Sequence, residues 1–383
     1  MAYNKKNALI ANLYAIQKAF EIKKEGRTAT KEEKIILDGY TGFGGLKCIL
    51  DTRPVKDWSA SEQALFPAVT ALYNTIKKNS KNEMEEKEYV SSVKSSVLTA
   101  FYTPEEIIQA IGEVIKSFAG DNIKTVLDPS AGSGRFLHAF DDTEGMQRTA
   151  YEKDLLTGMI LSAKEGNENT RVKIEGFEKM PSDELGTYDL AFSNIPFGDF
   201  KVFDPLMMNE NIRKVASQKI HNYFFVKSID AVKEGGLIAF ITSRGIADSA
   251  SNKPIREYLM QHSNLISAVR LPDDLFINDS GIEVGSDLII LQKTELKREL
   301  TKHEELFIKS NEWHMEYNEI IGGKIITGMI AKNCYINDGE PEEHYIGEPY
   351  ETTDQFGKSY ISFYGSDIDI KKELTNILQR DFS

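Results

Sequence analysis

Cysteine is almost absent from this chain of 383 residues: Cys48 and Cys334 stand far apart, outside any CxxC pattern or Cys/His cluster. A disulfide framework and a zinc site are therefore not expected. Long hydrophobic runs are missing too. Nothing approaches the ~20 apolar residues of a membrane span, and no basic-then-apolar leader opens the sequence. The reading is a soluble, cytoplasmic protein with no membrane and no metal. The chain also lacks the GxGxxG of dinucleotide folds and the GKS or GKT of a P-loop, which argues against nicotinamide and nucleoside-triphosphate cofactors. No internal repeat is present. With 41% hydrophobic residues, the chain can still bury a sizeable core in two or three units.

Positive charge is also short. The formal net charge is -13, a poor start for a nucleic-acid enzyme until the charge is followed along the chain. Residues 1–100 hold 16 Lys+Arg against 12 Asp+Glu, residues 101–200 hold 9 against 18, residues 201–300 hold 13 against 13, and residues 301–383 hold 8 against 16. A contact with nucleic-acid phosphates, if present, is thus expected from the N-terminal region and from residues 200–260. The N-terminal lysines fit solvated helix faces equally well.

Residues 1–98 read as a helical region. AIQKAFEIKK and TKEEKIILDGY show helical spacing, Thr30 is placed as an N-cap, and GYTGFGGLK breaks the pattern with a tight turn that packs Tyr40 and Phe43. The polar stretch KKNSKNEMEEKEYVSSVKSS reads as an exposed helix or linker. Between residues 99 and 293 the runs TVLDPS, TAYEKD, TRVKIEGF, TYDLAFSN, GLIAFITS, NLISAVRLP and SDLIILQK are each strand-sized, and most gaps hold a helix. That alternation predicts an α/β fold with a mostly parallel sheet and ligands at the carboxyl ends of the strands. The last two runs are separated only by DDLFINDSGIEVG, too little for a crossover helix, so the final strand is expected antiparallel. Residues 294–383 form a small C-terminal extension.

Chemistry collects at the carboxyl ends of the first four strands. Asp128-Pro129-Ser130-Ala131-Gly132-Ser133-Gly134 ends the first strand and opens a helix at Arg135, and its glycines let a ligand approach the backbone. Glu152 ends the second strand, where a carboxylate can accept from both hydroxyls of a ribose; a surface acid beside Lys153 and Asp154 is the plainer reading. Phe177 and Glu178 are taken as the end of the third strand, suited to cover an adenine ring and read its amine, although a Phe there equally fits a core. Asn194-Ile195-Pro196-Phe197 follows the fourth. An exocyclic amine conjugated to a base ring is a poor nucleophile until two acceptors draw its hydrogens out of the ring plane. Asn194 offers one acceptor from its side chain and Ile195 another from its carbonyl, while Phe197 offers a face for stacking. The loop GDFKVFDPLMMNENIRKVASQKIH then supplies Lys201, Arg213, Lys214 and Lys219 with Phe200 and Phe203, a mixture suited to phosphate contact and stacking. His221 reads as a helix-start histidine in preference to a catalytic base, and Trp58 and Trp313 as core or interface residues.

The order FYTP, DPSAGSGRF, YEKD, GFE and SNIPFGDF resembles the adenine-specific DNA methyltransferases of the gamma arrangement. More narrowly, GYTGFGGL, NIPFGDF, IHNYFFVKSID, ITSRGIAD, IREYL, AVRLPDDLF and VGSDLIILQK resemble the methylase module of the methylase-helicase proteins of phages and conjugative elements. The resemblance covers roughly residues 35–365. It implies a Rossmann-like class I sheet of seven strands, with S-adenosylmethionine as cofactor and double-stranded DNA as partner. It also implies roles residue by residue. Tyr102, Thr103 and Pro104 close over the methionine part, Asp128 and Ala131 to Gly134 form the cofactor turn, Glu152 clamps the ribose, Phe177 and Glu178 meet the adenine, and Asn194 to Phe197 hold a flipped target adenine.

Two departures stand out. Most amino-methyltransferases read Asn or Asp, Pro, Pro, aromatic; here Ile195 replaces the first proline, which is expected to loosen the turn. No helicase motor or large target-recognition region follows the last strand, so specificity is left to a helicase or specificity partner or to the segment after Lys293. Amino-methylation of RNA or of a protein glutamine, and a catalytically weak DNA-binding subunit, are the alternative readings.

Overall fold

The computed structural model describes residues 4–44, 46–51, 53–99, 103–277, 283–295, 297, 299–317, 326–337, 344–353, 359–365 and 367–383. Seven strands follow the seven apolar runs: β1 Thr125–Asp128, β2 Gln147–Tyr151, β3 Thr170–Lys173, β4 Tyr188–Asn194, β5 Val232–Ser243, β6 Ser263–Leu271 and β7 Ser286–Lys293. Their order in the sheet is β3-β2-β1-β4-β5-β7-β6. The pairs β1 with β2, β2 with β3 and β4 with β5 are parallel. As expected from the short connection, β7 runs antiparallel to both β5 and β6, and among the described residues of that connection Asp273–Phe276 form a 3-10 turn. In β4, Leu190, Ala191, Phe192 and Ser193 are each fully buried, which is why that strand reads as a near-continuous apolar run and not as an alternation.

The chain divides into two units. The first comprises Met1–Glu105, Thr125–Met180 and Phe276–Ile282. Its helices Lys5–Glu25, Lys31–Asp38, Phe66–Asn79 and Glu83–Thr99 share one apolar core, including Leu9, Ile16, Phe20, Leu72, Ile76, Tyr89 and Val93, with Leu156, Met159 and Ile160 of the helix Leu155–Glu165. Thr30 caps its helix through a capping box, accepting from the Glu33 N–H while the Glu33 carboxylate accepts from Thr30 N at 2.9 Å. The polar stretch before residue 99 is a helix but not an exposed one, because Tyr89 and Val93 are fully buried. The GYTGFGG turn packs as expected: Tyr40 and Phe43 are buried, and the Tyr40 hydroxyl lies 3.1 Å from Thr157 Oγ1. Asn12, itself buried, brackets the turn by accepting from Thr41 N at 2.9 Å and donating to the Gly42 carbonyl. Trp58 is in the core.

The second unit comprises Glu106–Lys124, Pro181–Leu275 and Glu283–Ser383. Besides β4 to β7 it holds the helices Asn211–Ala216, Ile220–Ala231 and Lys253–His262. After β7 come a short helix, Lys302–Ile308, two antiparallel pairs, Ser310–Tyr317 with Ile326–Asn333 and Glu348–Thr353 with Ser359–Tyr364, and the helix Ile370–Asp381. That last helix is pinned to β6 by Ser267 Oγ, which donates to Asp381 at 2.6 Å. Arg270 of β6 is buried and pairs with Asp287 of β7 at 2.8 Å and with Asp248 at 2.9 Å. Both cysteines are buried free thiols. Among the described residues no helix is long and apolar enough to cross a membrane. Tyr102 and the side chain of Trp313 lie outside the described residues.

Candidate active site

In the first unit, β1 ends at Asp128, a fully buried carboxylate whose Oδ1 accepts from Ser130 N at 3.1 Å. The chain then turns back. Ala131 N donates to the carbonyl of Tyr151, the last residue of β2, at 2.9 Å, and Gly134 N donates to the Ala131 carbonyl at 2.7 Å. Gly132 and Gly134 have φ of 53° and 87°, the left-handed region that residues with a β-carbon avoid. A Cβ on Gly134 would also lie 2.6 Å from Leu161 Cδ1. Ser133 is buried, and the helix that opens at Arg135 is a 3-10 helix, Arg135–Phe140. From there the Arg135 guanidinium donates to the Thr103 carbonyl at 3.1 Å. That bond ties Thr103, which is buried and is followed by the half-buried Pro104, to the glycine turn.

Glu152 follows β2 directly. Its Oε2 accepts from Gly132 N at 2.8 Å and its Oε1 from Asp154 N at 2.7 Å. Burial pushes this acid up to about 7; the Asp154 and Asp128 carboxylates add to the rise, and the two N–H donors oppose it. Asp154 in turn caps the next helix, accepting from Thr157 N at 2.9 Å and from Ser92 Oγ at 2.6 Å. Ser92 thus braces the site from a helix that the sequence assigned to the N-terminal region.

Phe177 and Glu178 do not end a strand. β3 stops at Lys173, opposite Tyr151, and the two residues lie in the 3-10 turn Phe177–Lys179. The Phe177 ring packs edge-on against Tyr151 at 5.8 Å between centroids and is 1% exposed, so it is a wall of the core and not an open stacking face. Glu178 meets Lys153 Nζ at 3.1 Å.

In the second unit, Asn194 is the last residue of β4, paired with Ile241 of β5. Ile195 is buried and its N–H donates to the Ile241 carbonyl at 3.0 Å. A proline has no N–H to give. The exchange at this position therefore adds a rung to the sheet and does not loosen the turn. Pro196 and Phe197 are half-buried, and Gly198 turns the chain at φ 129°. His221 opens the helix Ile220–Ala231 beside the Gly198 main chain; it is buried, its Nε2 lies 3.4 Å from Asn252 Nδ2, and burial pushes it down to about 4. A neutral structural imidazole fits these facts.

The following loop divides its cations. Lys201 and Lys214 are exposed, and Lys219 is half-exposed with Ser251 Oγ at 3.3 Å. Arg213 has a different task from the phosphate contact expected of it: its guanidinium makes a two-pronged contact with Asp230 and donates to the Tyr258 hydroxyl at 3.2 Å. A second anchor escaped the sequence. Asp204 is buried and accepts from Lys227 Nζ and the Tyr223 hydroxyl, each at 2.7 Å. Its signal was a lysine inside the apolar helical run YFFVKSI, four residues after Tyr223.

A glycine turn after β1, an acid after β2 and an amide-led clamp after β4 define an S-adenosylmethionine-dependent methyltransferase. Residues 87–321 match the model of the N-6 DNA methylase family, and the chain belongs to that family. It is 25% identical over 274 residues to the Defense against restriction protein B of Escherichia phage P1, covering 70% of this chain and 9% of that protein. To the type II methyltransferase M.AccI of Acinetobacter calcoaceticus it is 23% identical over 221 residues, covering 54% of this chain and 40% of that one. The chain thus spans less than half the length of these curated relatives. Among solved structures, the type IIG restriction endonuclease BpuSI aligns with a TM-score of 0.43 and 14% identity, over 79% of this chain and 39% of that one. S-adenosylmethionine is the cofactor of this fold, and the residues fit it: the glycine turn leaves no β-carbon at Gly132 or Gly134, and a carboxylate is fastened to the same turn through Gly132 N.

Proposed function

We propose that the chain transfers a methyl group from S-adenosylmethionine to the exocyclic amine of an adenine extruded from double-stranded DNA. The observation that carries this reading is the exit of β4, where a half-buried carboxamide, a main chain anchored to β5 and a half-buried aromatic follow one another. The Asn194 side-chain oxygen and the Ile195 carbonyl accept the two amine hydrogens and return the lone pair to the nitrogen, while Phe197 stacks on the base. Extruding the base costs a few kcal/mol, and stacking worth ~1–3 kcal/mol offsets much of it.

On the cofactor side, Asp128 and Ala131 to Gly134 border the ligand, Glu152 accepts from the ribose hydroxyls, Glu178 meets the adenine beside the Phe177 wall, and Tyr102, Thr103 and Pro104 hold the methionine part. Bound there, the cofactor supplies a methyl already activated on a sulfonium. The protein's own work is alignment, which needs no side-chain nucleophile: as the N–C bond forms the sulfonium would leave as the neutral thioether, and the proton that the amine gives up would go to solvent. Lys201, Lys214 and Lys219 meet phosphates, and residues 1–98 add a second basic surface. Sequence choice comes from a helicase or specificity partner or from residues 294–383.

The test is transfer of labelled methyl to pools of DNA, RNA and protein. Label in DNA adenine that disappears in Asn194→Ala, with cofactor binding retained, supports the proposal, and Phe197→Ala should lose chiefly rate or base affinity. Label in RNA or glutamine peptides instead would replace the substrate. Cofactor binding without transfer to any pool would make the chain a DNA-binding subunit.

A further inference from the structure

The loop that leaves the clamp carries two aromatic rings in water. Phe200 is 59% exposed and Phe203 76% exposed, with Leu206 also exposed beside them. Large apolar side chains grouped on a surface need a reason, since water disfavours them and they invite association. Mobility of the backbone does not supply one here, because the loop is fastened on both sides of Phe203. Val202 N donates to the Ser217 carbonyl at 2.9 Å. Asp204, the next residue after Phe203, is held by Lys227 and Tyr223 and accepts from Leu206 N at 2.9 Å. Met207 is fully buried, and Arg213 is bound to Asp230. Gly198, at φ 129°, brings Phe200 back over the turn, where a Cβ on the glycine would lie 2.7 Å from its ring. The result is a braced ribbon on which Phe203 stands largely in water and Phe200 lies over the Gly198 turn with much of its ring exposed, beginning one residue after Phe197 and carrying the exposed cations Lys201 and Lys214.

We infer that Phe200 and Phe203 form a preorganised aromatic wedge that enters duplex DNA and fills the gap left when the target base is extruded. The inference rests on the proposed function and deepens it. A flipped base leaves its neighbours and its partner without a stacking surface, and an apolar ring inserted between base steps replaces part of that stacking. Preorganisation matters because an ordered loop loses no further backbone freedom on binding. The neighbouring lysines suit the phosphates on either side of the opened step. The occupant is therefore a duplex and not a single strand, which has no gap to fill.

The experiment compares incorporation of labelled methyl into genomic DNA and into the same DNA after heat denaturation, for wild type, Phe203→Ala, Phe200→Ala and Phe203→Trp. Phe203→Ala is expected to lose about tenfold on duplex DNA, within the range measured for one aromatic stack, and to keep the wild-type rate on denatured DNA. Phe203→Trp restores the duplex rate. Cofactor affinity and the melting temperature stay unchanged, since the Phe203 side chain is 76% exposed and adds little to the core. Equal loss on both DNA forms, or no loss on either, overturns the wedge while leaving the methyltransferase reading in place. Failure of the wild type to label either DNA form overturns that reading and the wedge with it.

Discussion

Lowering the pH from 8 to 6 is expected to weaken binding of the adenosine part of the cofactor about tenfold, and the reason lies in Glu152. A ribose diol donates hydrogen bonds, so in the proposed role of Glu152 it is the ionised carboxylate that would hold it. The acid is pushed up to about 7 by burial and by Asp154 and Asp128, so the ionised share falls from about nine-tenths at pH 8 to about one-tenth at pH 6. Free of ligand, the sign for stability is opposite. Between the ordinary carboxylate range and 7 the folded protein holds a proton that the unfolded chain has released, so this group's contribution is present at low pH and is lost as the pH rises through 7. Its size is about 3 kcal/mol. Ligand and pH therefore compete at one oxygen pair. Calorimetry should use 5′-methylthioadenosine, which carries the ribose but no titrating amine, at pH 6, 7 and 8. Glu152→Gln should bind weakly and equally at all three. A wild-type affinity that is flat from pH 6 to 8, or a Glu152→Gln variant with the wild-type slope, would remove Glu152 from the ribose.

Restoring the more usual proline, Ile195→Pro, should cost about 1–3 kcal/mol in urea unfolding, because the Ile241 carbonyl loses its donor inside the sheet. An unchanged midpoint would show that the rung is not made. His221, pushed down to about 4, stays neutral in the folded state while the unfolded state takes a proton below about 6.5. Stability should thus be full above pH 6.5 and fall between 6.5 and 4, and that fall should shrink in His221→Gln. Lys227→Met should destabilise by about 3–5 kcal/mol by leaving Asp204 buried and unpaired, and Asp204→Asn in the same chain should recover much of it. Equal melting of the single and double variants would refute the pairing.

The strands were legible because most of them are buried, and a buried parallel strand has to be apolar throughout. Even the reversal of β7 followed from the length of one connection. Local patterns mislead where a partner decides. TRVKIEGF keeps its character to Phe177, yet β3 ends at Lys173, because an edge strand has one neighbour and β2 ends opposite it at Tyr151. The helix Glu83–Thr99 looks polar along its length, but two of its few apolar side chains, Tyr89 and Val93, are fully buried. Its serines proved informative only in three dimensions, where Ser92 donates to Asp154 at 2.6 Å.

The local geometry of the glycine turn and of the β4 exit could be read because it is carried by consecutive residues, with each side chain placed by its own backbone. The loop after the clamp could not, because charge alone does not say where a charge is spent. Arg213 and Lys214 are adjacent and look alike in sequence. The helix turns one toward Asp230 and the other to solvent. Asp199 and Asp204 look alike as well, but one is on the surface and the other is buried under Lys227 and Tyr223. With Arg213 engaged internally, the cations this loop leaves for phosphate are Lys201, Lys214 and Lys219, so the loop alone would hold DNA weakly by charge. Under the proposed function, binding would then draw on stacking, which is insensitive to net charge and for which Phe197, Phe200 and Phe203 lie within seven consecutive residues.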